Sequence, residues 1–279
     1  MKETIYTPAS QITKPLQLLR AMVTDLGKSR ELAWRLLLRN LRGQYRQSFL
    51  GVFWALVPPA LTAIGLSFAN SSGILRIGQT DIPYPAYVML GIVLWETFRD
   101  SLKGPETAIR TSRPLLAQIK FPHESMILTQ LGEILFNLLV KLIFVVIIFL
   151  VFKVSVSWTL LIAPFAFLSL ILLGTAIGLL LVPITHLIED VSKSMDVILT
   201  VWFFLTPVVY PMPTQGRLAF FIQLNPVTSL LMTARELVTT GQVTQGSAFL
   251  LVSFLTILLL LLGWIVFRLS IPYLVERIS

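Results

Sequence analysis

Ile134-Leu-Phe-Asn-Leu-Leu-Val-Lys141-Leu-Ile-Phe-Val-Val-Ile-Ile-Phe-Leu-Val-Phe152 is the stretch that decides the fold class. It holds one charge, and at about 1.5 Å per residue it covers most of the roughly 30 Å of hydrocarbon in a bilayer. Leu50–Ala69, Trp158–Val182 and Ser247–Phe267 read the same way. Pro85–Trp95, which ends at Glu96, and Val197–Tyr210, which follows Asp196, are shorter and reach span length only by taking in charges. The expectation is an all-α membrane protein with six transmembrane helices. Residues 1–49 are expected to form a cytoplasmic N-terminal segment, 50–269 the six-span membrane body and 270–279 a cytoplasmic tail.

Composition points the same way. Of 279 residues 55% are hydrophobic and 13% charged, about half the charge of an ordinary soluble domain. A net charge of +8 could suggest nucleic acid, but the basic residues lie between apolar runs rather than on one soluble face. No nucleic-acid partner is therefore expected. Residues 1–30 contain no continuous apolar core of signal-peptide type, so the first span is expected to act as an uncleaved signal.

Orientation follows from Lys and Arg. With both termini inside, seventeen of the 22 basic residues fall on the cytoplasmic side and only Arg76, Lys153, Arg217 and Arg235 outside. Lys141 lies within a span, where it predicts either an interhelical bond or a snorkelled amine.

Three segments stand out between spans. Arg35, Arg39, Arg42 and Arg46 recur on one helical face with Ala33, Trp34, Leu37 and Leu41 opposite, which predicts an amphipathic helix in the headgroup layer. Arg110 to Pro122 reads as a cytoplasmic segment whose prolines, Pro114 and Pro122, bracket a short helix with Leu115, Leu116 and Ile119. That segment fits either a partner's groove or a plain connector. After Asn225-Pro226, apolar residues at helical spacing predict a helix that dips back into the outer membrane boundary.

Cysteine is absent and His123 and His186 have no metal-motif partners, so no metal site is expected. No P-loop, G-x-S-x-G elbow or H-E-x-x-H pair occurs, and the chain is expected to be no enzyme and to hold no cofactor. The aromatics near span ends, among them Trp54, Trp95, Phe98, Trp202, Phe203, Phe204 and Tyr210, fit an interfacial belt or a surface on which sugar rings pack.

Several motifs occur together and in order. Arg39-Asn-Leu-Arg42-Gly-Gln-Tyr45-Arg46-Gln-Ser48-Phe-Leu50-Gly51-Val-Phe-Trp54-Ala-Leu-Val-Pro58 resembles the entry to span 1 of type-2 ATP-binding-cassette permeases that export polysaccharides. Gly91-Ile-Val-Leu-Trp95 is similar to that family's G-x-x-x-W. Leu115-Leu-Ala-Gln-Ile-Lys120-Phe121-Pro122 is similar to its coupling segment. Thr206-Pro207-Val-Val-Tyr210-Pro211 and Asn225-Pro226 resemble its S-P-V-x-Y-P and N-P. Glu189-Asp190-Val191 departs from the usual Arg-Asp-Val, and Asn40 stands where an acid is common.

The resemblance implies a permease homodimer in the bacterial inner membrane, served by two copies of a separate P-loop ATPase that would bind ATP and Mg. Arg110, Arg113, Leu115, Leu116, Ile119, Lys120, Phe121 and Pro122 would receive the ATPase stroke. Spans 1 and 5 would line a path for a lipid-linked glycan such as O-antigen, capsule or teichoic acid, and the dipping outer helices would gate its exit. The rival readings are an exporter of the same architecture carrying a drug or lipid, and a glycan-modifying membrane enzyme.

Overall fold

A computed structural model describes residues 15–45, 53–54, 56–75, 77–116, 121–213 and 215–278. Among the described residues every regular element is a helix. The helices are α1 (Pro15–Tyr45), α2 (Val57–Ser71), α3 (Tyr84–Leu116), α4 (Glu124–Val151), α5 (Ala163–Leu187), α6 (Glu189–Phe204), α7 (Arg217–Leu224), α8 (Pro226–Val238) and α9 (Gly246–Ile278), with a 3-10 turn at Trp158–Leu161. Three of them are long and apolar enough to cross a bilayer: α4, α5 and the Gly246–Tyr273 part of α9.

The hub is α3, which packs on α5, α4, α2 and α8. Every residue from Ala86 to Phe98 is buried, a pattern that suits a helix enclosed by protein on all sides. Its approach to α5 is set by Gly174 and Gly178, which stand four apart on the facing helix. A Cβ at Gly174 would lie 2.7 Å from the Phe98 carbonyl oxygen, and one at Gly178 would run into the Leu102 carbonyl. Small residues four apart let two helix backbones close up where lipid supplies no hydrophobic drive for association.

The outer helices carry apolar stripes facing outward. On α4 these are Leu139, Ile143, Val146 and Leu150, all more than half exposed. Surface of that kind over a whole helix face would be untenable in water and suits acyl chains.

The structure corrects the sequence reading at several points. Helix α3 does not end near Glu96 but runs on to Leu116, because the charges that follow Trp95 find partners on neighbouring helices, as described below. Arg110, Arg113, Leu115 and Leu116 therefore occupy its last turns rather than a separate short helix. Ile119 and Lys120 lie outside the described residues, as does Arg46.

Helix α1 docks along α4. Ala33 is buried and Leu37 packs over Gly132, whereas Trp34 is 60% exposed and shares the outer side with Arg35, Arg39 and Arg42. The expected opposite face is thus the face toward α4, and Trp34 is not on it, because 100° per residue sets it beside Arg35. The start of the third apolar run is a 3-10 turn, and α5 begins after it with Pro164 in its first turn.

Candidate functional site

Below Trp95 a ladder of charged and polar groups descends one side of α3. Glu96 Oε2 lies 2.8 Å from Lys141 Nζ on α4, and Asp100 Oδ2 lies 3.4 Å from the same ammonium. One turn on, Lys103 Nζ is 2.6 Å from Asp196 on α6. Another turn on, Ser192 Oγ of α6 donates to Glu106 Oε1 at 2.6 Å. Spacing of three or four residues keeps all of these on one helical face. Lys141 is thus an interhelical partner, and with 7% side-chain exposure it does not snorkel. An isolated charge at this depth would be costly; paired, it ties α4 and α6 to the hub.

Above the ladder sits an aromatic cluster. Phe98 and Trp202 meet edge to face at 5.3 Å between centroids and Trp95 and Phe203 at 5.7 Å, whereas Trp95 and Phe98 are tilted at 47° and 5.5 Å apart. Trp95 and Phe98 are buried inside the protomer, and Trp202 and Phe203 are half-buried over them. Such pairs add about 0.5–1.5 kcal/mol each beyond their burial. Phe204 abuts Phe203 but is 65% exposed, and Trp54 is 57% exposed. The protomer thus brings Trp95, Phe98, Trp202 and Phe203 together and leaves Trp54 and Phe204 on its surface.

Helix α6 stops at Phe204, ahead of Pro207, which cannot continue it. The turn segment after it is held by Arg235, Tyr84 and Tyr87, none of them a candidate site residue in the sequence reading, and by Tyr210, which is one. Arg235 on α8 donates to the carbonyls of Pro207 and Val208, at 3.1 and 2.6 Å, with its guanidinium carbon 3.8 Å above the Tyr87 ring. Tyr84 and Tyr87 hydroxyls donate to the carbonyls of Val209 and Tyr210. The Tyr210 hydroxyl turns back to the Phe204 carbonyl at 2.7 Å.

Gly91 makes room for this arrangement, since a Cβ there would meet both the Val208 oxygen and the Arg235 guanidinium. Asn225 joins the two outer motifs. Its amide donates to Thr206 Oγ1 at 2.9 Å, and its oxygen accepts from Trp202 Nε1 and caps α8 at Val227 N. Arg235, counted from sequence among the basic residues outside the membrane, and its neighbour Glu236 are 3% and 7% exposed. The signal was present: two charges within an apolar helical run are costly unless bonded.

At the opposite end, Arg268 of α9 binds both Asp25 of α1, at 2.5 Å, and Glu124 at the start of α4. His123 lies against this cluster with Phe121 6.0 Å away, ring to ring. Burial, then the neighbouring Arg268 charge, pulls the His123 pKa down to about 4. In the same region Asn40 donates to Glu133 at 2.7 Å, so the amide that replaces a common acid still bridges α1 to α4. Along the expected coupling segment Arg110 is exposed, and Leu115, Phe121 and Pro122 are half-buried. Glu189 opens α6, with Asp190 exposed beside it.

Comparison with known proteins fits this arrangement. The ABC-2 type transporter family profile matches residues 31–239, from α1 through the buried α8. The chain is 27% identical over 214 residues to the O-antigen export system permease protein RfbA of Myxococcus xanthus, covering 75% of this chain and 81% of that protein. It is 20% identical over 245 residues to the polysialic acid transport protein KpsM of Escherichia coli, covering 84% and 91%. With a family match over well more than half its length, the chain belongs to the ABC-2 type transporter family.

Proposed function

We propose that this chain is the permease half of an exporter that moves a lipid-linked polysaccharide outward across the bacterial cytoplasmic membrane. The observation that carries the reading is the match to the ABC-2 family across α1–α8, together with relatives named for O-antigen export and polysialic acid transport. Six helices would span: α2, α3, α4, α5, α6 and α9. Both termini would be cytoplasmic, in keeping with the seventeen-to-four distribution of basic residues. Helices α7 and α8 would form the re-entrant outer pair that closes the exit.

Two copies would form the conduit. Supporting this, α2 and α6 expose continuous apolar faces: Leu61, Ile64 and Phe68 on one, Val197, Ile198, Val201 and Phe204 on the other. Trp54 and Phe204 are the aromatics of this group free to meet a sugar ring. Trp95, Phe98, Trp202, Phe203 and Tyr210 would act behind them, holding the wall rigid.

Two copies of a P-loop ATPase would supply the energy and bind the ATP and Mg. The stroke would enter at the end of α3, through Arg110 to Pro122, and climb the ladder from Glu106–Ser192 to Lys103–Asp196 into α6. The test is affinity purification from cells that also express the ATPase. The wild-type permease should bring the ATPase down, whereas Arg110→Glu with Leu115→Ser should lose about ten- to a hundredfold in affinity, the loss expected for an apolar anchor and a charge. Unchanged co-purification and unchanged surface glycan in that double variant would exclude this segment as the coupling site.

A further inference from the structure

Beside the Arg235 staple lies a cavity of about 460 Å³, bounded by the start of α3, the strand after α6, the end of α7, the inner face of α8 and the turn into α9. Its size falls in the roughly 300–1,000 Å³ that small-molecule sites occupy. Gln79, Asp81 and Gln223 stand exposed at its rim, and Arg235 and Glu236 are buried in its floor. The floor is polar and in part unpaired. Arg235 Nε and Gln245 Oε1 have no hydrogen-bond partner among the described residues, although both atoms are buried. Arg235 is 97% buried as a residue, since only 3% of it is exposed, and its two terminal nitrogens are already committed to Pro207 and Val208.

Arg235 and Gln245 both line the cavity, so its wall carries one unpaired N–H donor and one unpaired amide oxygen, a combination that suits a hydroxyl, which donates and accepts at once. The remaining polar side chains include two carboxylates, Asp81 and Glu236, and two further amides, Gln79 and Gln223, groups that bond vicinal hydroxyls. Glu236 is held in place for such a role by Thr244, whose amide and hydroxyl donate to its two oxygens at 2.8 and 2.5 Å. A phosphate is disfavoured here, because Asp81 and Glu236 would repel it and Arg235 is occupied by backbone carbonyls and Tyr87.

We infer that this cavity is a carbohydrate-binding site, which takes one or two hydroxyl-rich sugar units of the glycan as it leaves the conduit. The inference rests on the export reading above and adds to it a site inside each protomer. Because the floor of the cavity is the residue that holds the broken end of α6, an occupied cavity and the outer end of the conduit share Arg235.

The chain has no cysteine, so single cysteines report cleanly. Gln223→Cys and, as a second reporter, Gln79→Cys are placed in the full chain in nanodiscs, with Ser72→Cys as a control at an exposed residue that does not line the cavity. Maleimide labelling is followed with and without oligosaccharides released by mild acid from the host strain's surface polysaccharide. At ten times their dissociation constant, the fragments should slow labelling of both rim cysteines about tenfold and leave Ser72→Cys unchanged. Adding Gln245→Leu should weaken that protection about three- to tenfold, the loss expected for one hydrogen bond.

Equal labelling rates at both rim positions with and without fragments would overturn the inference. So would protection by dihexanoylphosphatidylglycerol in place of the fragments, which would mark a lipid headgroup site. Surface glycan on the same cells is scored separately: its absence with the wild-type chain defeats the export reading, whereas its presence without protection defeats only the cavity.

Discussion

Lys141 shows what one side chain does at membrane depth. Its ammonium is shared by Glu96 and Asp100, and the Lys141 and Glu96 side chains are 7% and 11% exposed. Removing one partner of such a pair leaves a buried charge, at a cost of about 3–5 kcal/mol. Lys141→Met should therefore lower the thermal midpoint of the detergent-solubilised chain by several degrees. Adding Glu96→Gln should recover part of the loss, because the buried carboxylate is then gone and the remaining one, Asp100, is 36% exposed and keeps Arg99 at 3.6 Å; equal losses in the single and double variants would show the pair to be uncoupled.

His123 makes a prediction in pH. Its folded pKa of about 4 lies below the ordinary 6.5, so the unfolded chain takes up the proton first. The stability this group contributes is fully present above pH 6.5 and is lost as pH falls through 4, up to about 3 kcal/mol in all. Unfolding followed from pH 7 to pH 4 should show this decline, and His123→Gln should flatten it.

At the scale of elements, α3 and α6 divide the aromatic residues into two groups with different expected defects. Phe98 is fully buried between Trp95 and Trp202, so Phe98→Ala should cost about 3–5 kcal/mol and reduce the amount of folded permease. Trp54 and Phe204 are exposed, and their replacement by Ala should leave folding intact while lowering glycan on the cell surface. Normal export by both variants would assign those rings to the lipid belt.

How far the elements were legible differs from helix to helix. Helices α4, α5 and α9 announce themselves by long apolar runs. Helix α3 was read too short because hydropathy counts each charge as exposed, and its charges are cancelled by Lys141 and Asp196 on helices far away in sequence. Helix α8 is legible from its periodicity, but the burial of its Arg235 is not, for the same reason.

For the whole molecule the proposal concerns sides. With both termini cytoplasmic, Ser72 at the end of α2 faces out and Thr111 near the end of α3 faces in, and both are exposed. A membrane-impermeant maleimide on intact cells should label Ser72→Cys and spare Thr111→Cys until the membrane is opened; labelling of Thr111→Cys from outside would invert or break the topology. Sequence by itself determined the class of the molecule, since 13% charge and repeated apolar runs of about 20 residues admit only a helical membrane protein. The ordered motifs from Arg39 to Pro226 pointed to the family. Only the tertiary structure decided which charges are paired, which aromatic rings are enclosed and that Arg235 holds the broken end of α6 over a polar cavity. Those outcomes depend on contacts between residues tens of positions apart, and local composition and periodicity carry no information about such distances.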